Sequence, residues 1–268
     1  MSILDQIIEH KRKEVEESKS LFPVKLLEKS MFFESPTISL KNFVLRKDKS
    51  GIIAEIKRKS PSKGMINQFA SVEKISTGYI QAGASALSVL TDKHFFGGGN
   101  EDLTTVRKFN SCPILRKDFV LDEYQIMEAK SIGADAILLI AAVLTHVETK
   151  ELTKFAHQLG LEILLEVHTE EELLSNLEAD PDLVGVNNRN LKTLEISIDT
   201  SKRLSNLIPD GVVKISESGI DDPKTILELR QVGFKGFLIG QTFMQQASPE
   251  NACKEFIAGL RKAELKTT

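Results

Sequence analysis

Several features that would point to a secreted, metal-dependent or nucleic-acid-binding protein are missing from this chain. There are only two cysteines, Cys112 and Cys253, with no Cys-x-x-Cys, so a disulfide framework is not expected. The five histidines, at 10, 94, 146, 157 and 168, show no metal-ligand spacing such as His-Glu-x-x-His, and no metal is expected. Lys plus Arg number 35 against 38 for Asp plus Glu, a net charge of −3, which offers no electrostatic footprint for nucleic acid or an anionic membrane. The longest wholly apolar run covers residues 136–144, far short of the roughly 20 residues a bilayer span needs. The opening stretch MSILDQIIEHKRKEVEES is too charged and too helix-periodic to read as a signal peptide. What is present, 41% hydrophobic and 27% charged residues in 268, is enough for a sizeable buried core. The expectation is a cytoplasmic, acid-leaning enzyme or binding protein.

The chain is expected to fold as a single domain, 1–268, in two unequal parts. In residues 1–48, Ile3, Leu4, Ile7 and Ile8 recur at helical spacing and a charged face follows from Glu9 to Lys19. A second apolar cluster, Leu26, Leu27, Met31, Phe32 and Phe33, predicts another short helix before Pro36. Both pieces read as a helical extension lying on something larger. From Gly51 onward, β-rich runs begin near 52, 86, 113, 135, 162, 183, 212 and 236, separated by amphipathic segments. Three of those segments end in Gly83, Gly133 and Gly160, where a helix C-terminus favours glycine. Strand–helix–strand at this period means parallel strands joined by crossover helices. Eight such units over 51–268 predict an α/β fold, a TIM (β/α)8 barrel. An open doubly wound sheet is the rival, disfavoured because no Gly-x-Gly-x-x-Gly follows the first strand.

A barrel of this kind collects its chemistry at the C-terminal ends of its strands. In IIAEIKRKSPSKG, Glu55 and Lys57 are two apart and share one strand face, as catalytic groups or as a plain ion pair. Arg58, Lys59 and Lys63 form either an anion site or a soluble loop. Lys117 in PILRKDF suits a general acid, a Schiff-base nucleophile, or a charged turn. Glu166 in EILLEVH has Leu164, Leu165 and Val167 beside it, which predicts burial and a raised pKa; His168 reads as a capping or supporting residue. In LVGVNNRNL, Asn187 ends a strand, Asn188 reads as a turn residue, and Arg189 is better explained by an acidic ligand, with a surface salt bridge as the alternative. Gly219 in KISESGI and Gly240 in LIGQTF together favour a phosphate at the last two strand ends. The loop FFGGG at 95–99 either closes over an aromatic ligand or packs on the N-terminal helices.

In that order, AEIKRKSPSKG, ILRKDF, LLEVH, GVNNRNL, SESGI and LIGQTFM closely resemble the indole-3-glycerol phosphate synthase family of tryptophan biosynthesis, over essentially the whole chain. The resemblance implies a barrel carboxy-lyase that works without a cofactor. Its substrate would be 1-(2-carboxyphenylamino)-1-deoxyribulose 5-phosphate, and its products indole-3-glycerol phosphate, carbon dioxide and water. Carried over by motif, Lys117 looks like the acid that protonates the ketone, and Lys57 like the partner of the carboxylate that leaves. Glu166 and Glu55 look like the later acid/base pair, with Asn187 and Ser218 as polar positioning groups. Ser60, Gly219, Gly240 and Gln241 would hold the phosphate, and Arg189 and Glu217 would also touch the substrate. Phe96, Phe119, Leu138 and Leu191 would shape the aromatic pocket. Gln241 stands where the family often has Ser or Glu, which implies a backbone contact to phosphate, and Asn190 stands where Asp is common.

Two other readings remain open at this point: a Schiff-base aldolase built on Lys117, and a binding barrel without turnover. The implied partner is a small phosphorylated molecule, with no nucleic acid and no membrane, and the chain is read as a monomer or a homodimer.

Overall fold

Residues 2–190 and 193–267 are described by the computed structural model. Three helices come first: α1 (Ile3–Leu21), α2 (Val24–Leu27) and α3 (Leu40–Val44). The first barrel unit follows, with β1 (Ile52–Ile56), a small hairpin of β2 (Lys59–Ser60) and β3 (Gly64–Met65), and α4 (Val72–Ala82). Next come β4 (Ala86–Leu90), α5 (Lys93–Phe96), α6 (Asn100–Phe109), β5 (Ile114–Lys117) and α7 (Glu123–Ile132). The middle of the chain gives β6 (Ala136–Ile140), α8 (His146–Gln158), β7 (Glu162–Val167), α9 (Glu170–Asn176), β8 (Leu183–Asn187) and α10 (Asp199–Leu204). The last units are β9 (Val213–Glu217), α11 (Pro223–Gln231), β10 (Gly236–Ile239), α12 (Gln241–Met244) and α13 (Pro249–Thr267).

Strand β1 pairs in parallel with both β4 and β10, so the eight long strands close into a barrel in the order β1-β10-β9-β8-β7-β6-β5-β4. The open-sheet alternative is thereby excluded. The barrel strands are covered on both faces, which is why IIAEI, ALSVL and AILLI read as near-continuous apolar runs. Alternate residues divide the work. Ile52, Leu87, Ile114, Leu139, Leu165 and Val186 pack outward against the helices, while Ile53, Leu115, Leu138, Leu164, Ile215 and Leu238 fill the barrel. Gly83 and Gly133 cap α4 and α7 in the left-handed conformation, and Gly160 adopts the same region just past α8, where the sequence places them.

The N-terminal segment departs from the sequence reading in three ways. The charged face from Glu9 to Lys19 lies on helix α1, but one of its residues, Lys11, is fully buried. Of the second apolar cluster only Leu26 and Leu27 are helical, and Met31 is exposed in a turn. Helix α3, which the sequence did not reveal, sends buried Leu40 and Val44 into the barrel filling beside Ile53 and Ile215 and closes its N-terminal end.

Candidate active site

The inward side of each strand is apolar low in the barrel and charged at the C-terminal rim. Glu55 follows Ile53 on β1, Lys117 follows Leu115 on β5, Glu166 follows Leu164 on β7, and Glu217 follows Ile215 on β9. Period-two alternation thus delivers four strand ends to one mouth. Parallel register aligns Glu166 with Gly185 and Asn187 with Glu217. At Gly185 a Cβ would lie 2.2 Å from Glu217 Oε1, and at Gly240 one would lie 2.4 Å from Glu55 Oε1. Both glycines therefore make room for a buried carboxylate. For Gly240 this adds a reason that the phosphate reading did not contain.

Lys117 sits at the centre of the mouth. Its Nζ lies 3.3 Å from Glu166 Oε2 and donates to Glu217 Oε2. Beside it, Lys57 Nζ pairs with Glu55 Oε1 at 2.7 Å. Asn187 Nδ2 donates to Glu166 Oε1 at 3.2 Å, and Asn187 Oδ1 accepts the Arg189 amide at 3.0 Å. His168 bridges Glu166 and Glu172, its Nε2 3.4 Å from the first and its Nδ1 3.3 Å from the second.

Three buried charges here are tuned in different directions. Burial works against the Lys117 ammonium, but Glu217, Glu166 and Glu55 outweigh it and hold its pKa above the ordinary lysine value. Glu217 is pushed up to about 7 by burial, with the charges of Glu166 and Glu55 adding to the rise and Lys117 opposing it. Burial also acts to raise Glu166, yet Lys117, His168 and the Asn187 hydrogen bond bring it below the ordinary glutamate range. This corrects the sequence expectation. The apolar neighbours of Glu166 do bury it, but the cation across the barrel reverses the sign, and the carboxyl that is raised is Glu217. One oxygen of Glu217, Oε1, is buried without a hydrogen-bond partner among the described residues.

The mouth opens into a cavity of about 320 Å³. Glu55, Lys57, Lys117, Glu166, Asn187 and Glu217 line it, together with Ser60, Arg189, Ser218, Gly219, Gly240 and Gln241. Phe96, Phe119 and Leu138 form an apolar wall, with the two rings 6.0 Å apart. Leu191 lies outside the described residues. The two readings of the FFGGG loop divide between neighbours: Phe95 packs edge-on against His10 of α1, whereas Phe96 faces the cavity.

The structure also places several other residues singled out in the sequence. Arg58 is committed to Asp102 and to the Gly97 carbonyl, and Lys59 to the His94 carbonyl, so neither is a free anion ligand. Asn188 is no plain turn residue. It is buried, donates to Ser216 Oγ and the Ser218 carbonyl, and accepts from Ser201, tying β8, β9 and α10 together. The Arg189 guanidinium donates to the Leu194 carbonyl, and no acidic side chain among the described residues forms an ion pair with it.

Sequence reasoning missed the contribution of α1, whose Ile3, Leu4 and Ile7 form part of the cavity wall. Their helical spacing was a visible signal, but not the direction in which that face would turn. Asp118 was also missed, next to Lys117 and at the cavity edge. Among the described residues no group of three or more His, Cys, Asp or Glu could hold a metal ion.

A closed parallel barrel with ammonium and carboxylate groups converging at the carboxyl ends of its strands has the layout of a TIM-barrel enzyme. The family model described as indole-3-glycerol phosphate synthase matches residues 4–256, and the chain belongs to that family. An indole-3-glycerol phosphate synthase from Bacteroides thetaiotaomicron is 46% identical over 259 residues, covering 97% of this chain and 99% of that one. Another from Caldanaerobacter subterraneus subsp. tengcongensis is 44% identical over 260 residues, covering 97% and 99%. Among solved structures, one described as native KDPGal superposes with a TM-score of 0.61 at 15% identity, over 82% of this chain and 97% of that one. Thiamine phosphate pyrophosphorylase from Pyrococcus furiosus gives 0.60 at 14%, over 84% and 98%. These two share the fold alone.

Proposed function

We propose that this protein closes the indole ring of 1-(2-carboxyphenylamino)-1-deoxyribulose 5-phosphate with loss of carbon dioxide and water, and that the residues at the barrel mouth divide the work as follows. The observation that carries the reading is the Lys117 ammonium held between Glu217 and Glu166, one step from the Lys57–Glu55 pair and facing the cavity. As the carboxylate-bearing ring carbon attacks the ketone, Lys117 gives its proton to the developing alkoxide, leaving a hydroxyl. Lys57 holds the carboxylate, which departs as carbon dioxide and returns its electron pair to the ring. Glu166 and Glu55 then serve the dehydration, one removing the carbon-bound proton and the other protonating the departing hydroxyl. Asn187 keeps Glu166 in place through its 3.2 Å hydrogen bond. Ser218 serves with Asn187 as a polar positioning group, and Ser60, Gly219, Gly240 and Gln241 face the phosphate end, whose binding energy is remote from the reacting atoms. Arg189 and Glu217 complete the polar side, and Phe96, Phe119 and Leu138, with Leu191, receive the carboxyphenyl ring.

The same observation weakens the aldolase reading. A Schiff base needs the free amine of Lys117, and three glutamates favour the ammonium. A cytoplasmic setting goes with this reading; no helix among the described residues is long and apolar enough to cross a membrane.

The test is to mix the purified protein with the carboxyphenylamino-deoxyribulose phosphate and follow indole fluorescence, with Lys117→Ala as control. The chain has no tryptophan, so the protein contributes little background. Signal from the wild type alone supports the reaction and the role of Lys117. Signal from both variants removes Lys117 as the essential acid, and silence from folded wild type removes the reaction.

A further inference from the structure

We propose that Lys11 is a positioning residue for the aromatic wall of the site: from helix α1 it holds together the two carboxylates that fix Phe96 and Phe119. The proposal rests on the ring-closing reading, in which those rings receive the carboxyphenyl group.

The side chain of Lys11 is 1% exposed. Its Nζ lies 3.0 Å from Asp92 Oδ2, 3.0 Å from Asp118 Oδ1 and 2.7 Å from Glu14 Oε1. Asp92 is the N-cap of α5, and its other oxygen accepts the amides of Phe95 at 2.7 Å and Phe96 at 3.3 Å. Asp118 Oδ1 accepts the Phe119 amide at 2.8 Å, while Oδ2 accepts the Thr91 hydroxyl at 2.6 Å and Arg116 at 3.2 Å. One ammonium thus bridges the carboxylate that sets the backbone of Phe96 and the carboxylate that sets the backbone of Phe119. Those rings sit 6.0 Å apart on the cavity wall.

The helix that carries Lys11 reinforces the link. Ile7, Leu4 and Ile3 precede Lys11 by four, seven and eight residues, so all four share one face of α1, and the three apolar residues touch the cavity. A cation is required at position 11 because Asp92 Oδ2 accepts no hydrogen bond among the described residues and has the Lys11 ammonium as its counter-charge. Lys11 does not line the cavity, and it enters no chemical step.

The experiment compares wild type, Lys11→Met, Lys11→Gln and Lys11→Arg in steady-state ring closure. It adds two probes: inhibition by inorganic phosphate, and binding of 2-aminobenzoate followed by its own fluorescence. In Lys11→Met, KM and the 2-aminobenzoate dissociation constant are expected to rise about tenfold, with kcat falling less than about threefold, as for a displaced binding wall. The phosphate inhibition constant stays unchanged, and Lys11→Arg recovers most of the loss. A folded Lys11→Met with wild-type KM overturns the proposal, and so does a parallel rise in the phosphate constant, which would mean general loosening. If the Met variant does not fold, Lys11→Gln against Lys11→Arg decides: equal, wild-type KM values overturn it, and a raised value in Gln alone supports it. Failure of the ring-closing reading shows separately, because wild type would then not turn over while 2-aminobenzoate binding could still be compared across the variants.

Discussion

The last two residues of strand β5 and the residue after it, three consecutive charged side chains, go into two different buried clusters. Lys117 points into the barrel mouth with Glu55, Glu166 and Glu217, while Arg116 and Asp118 belong to a cluster with Lys11, Asp92 and Glu128 outside the barrel filling. In the second cluster every carboxylate meets a cation or a hydrogen-bond donor, and Asp118 is brought down to about 2, burial being overcome by Lys11, Arg116 and the Thr91 hydroxyl. At the mouth a carboxyl of the same degree of burial, Glu217, is instead pushed up to about 7. A network that pulls a buried carboxyl down holds a shape. One with pKa values driven apart on neighbouring acids is ready to move protons.

The sharpest way to break this contrast is to remove the cation of each cluster. Lys117→Ala is expected to lower kcat by about a thousandfold or more, the scale of a lost general acid, while inorganic phosphate still binds; turnover assays with phosphate inhibition check it. Glu166→Gln should cost about a hundredfold in kcat with little change in thermal stability, read by the same assay beside a melting curve. Lys11→Met should act on the other side of the ledger and destabilise the fold by about 3 kcal/mol, measured by urea unfolding, because it strands buried Asp92 and Asp118.

Titration sharpens the same comparison. The depressed value of Asp118 contributes stability that is complete above its ordinary value of 3.8 and is lost as pH falls toward about 2, a contribution of about 2 kcal/mol. In Lys11→Met the depression shrinks, so acid unfolding should begin at higher pH. Glu217 works the other way: it loses its proton as pH rises through about 7 and adds a negative charge beside Lys117, which makes the ammonium a poorer donor. The kcat profile should therefore fall through neutral pH, and Glu217→Gln should remove that inflection.

How much of this was legible in the sequence follows the range of the forces involved. The eight strands were readable because burial on both faces writes a continuous apolar run into each, and Gly83 and Gly133 announced their helix ends locally. Strand-end polar residues were readable because position along a strand fixes height in the barrel. The sign of the Glu166 shift was not, since Lys117 stands 49 residues away in sequence and only the closed barrel brings it near. For the same reason Lys11 looked like one more charge on a solvated helix face. Helix α3 escaped because five residues are too few to show a period.

The tie between Lys11 and its two aspartates also sets an order of events during synthesis. Asp118 is made on the order of a hundred residues after Lys11, which at about 5–20 residues per second is a wait of about 5–20 seconds. Through that interval the ammonium lacks one of its two counter-charges from the barrel, and Asp92 is made before Asp118. The cavity wall that α1 provides thus waits on residues made far later in the chain.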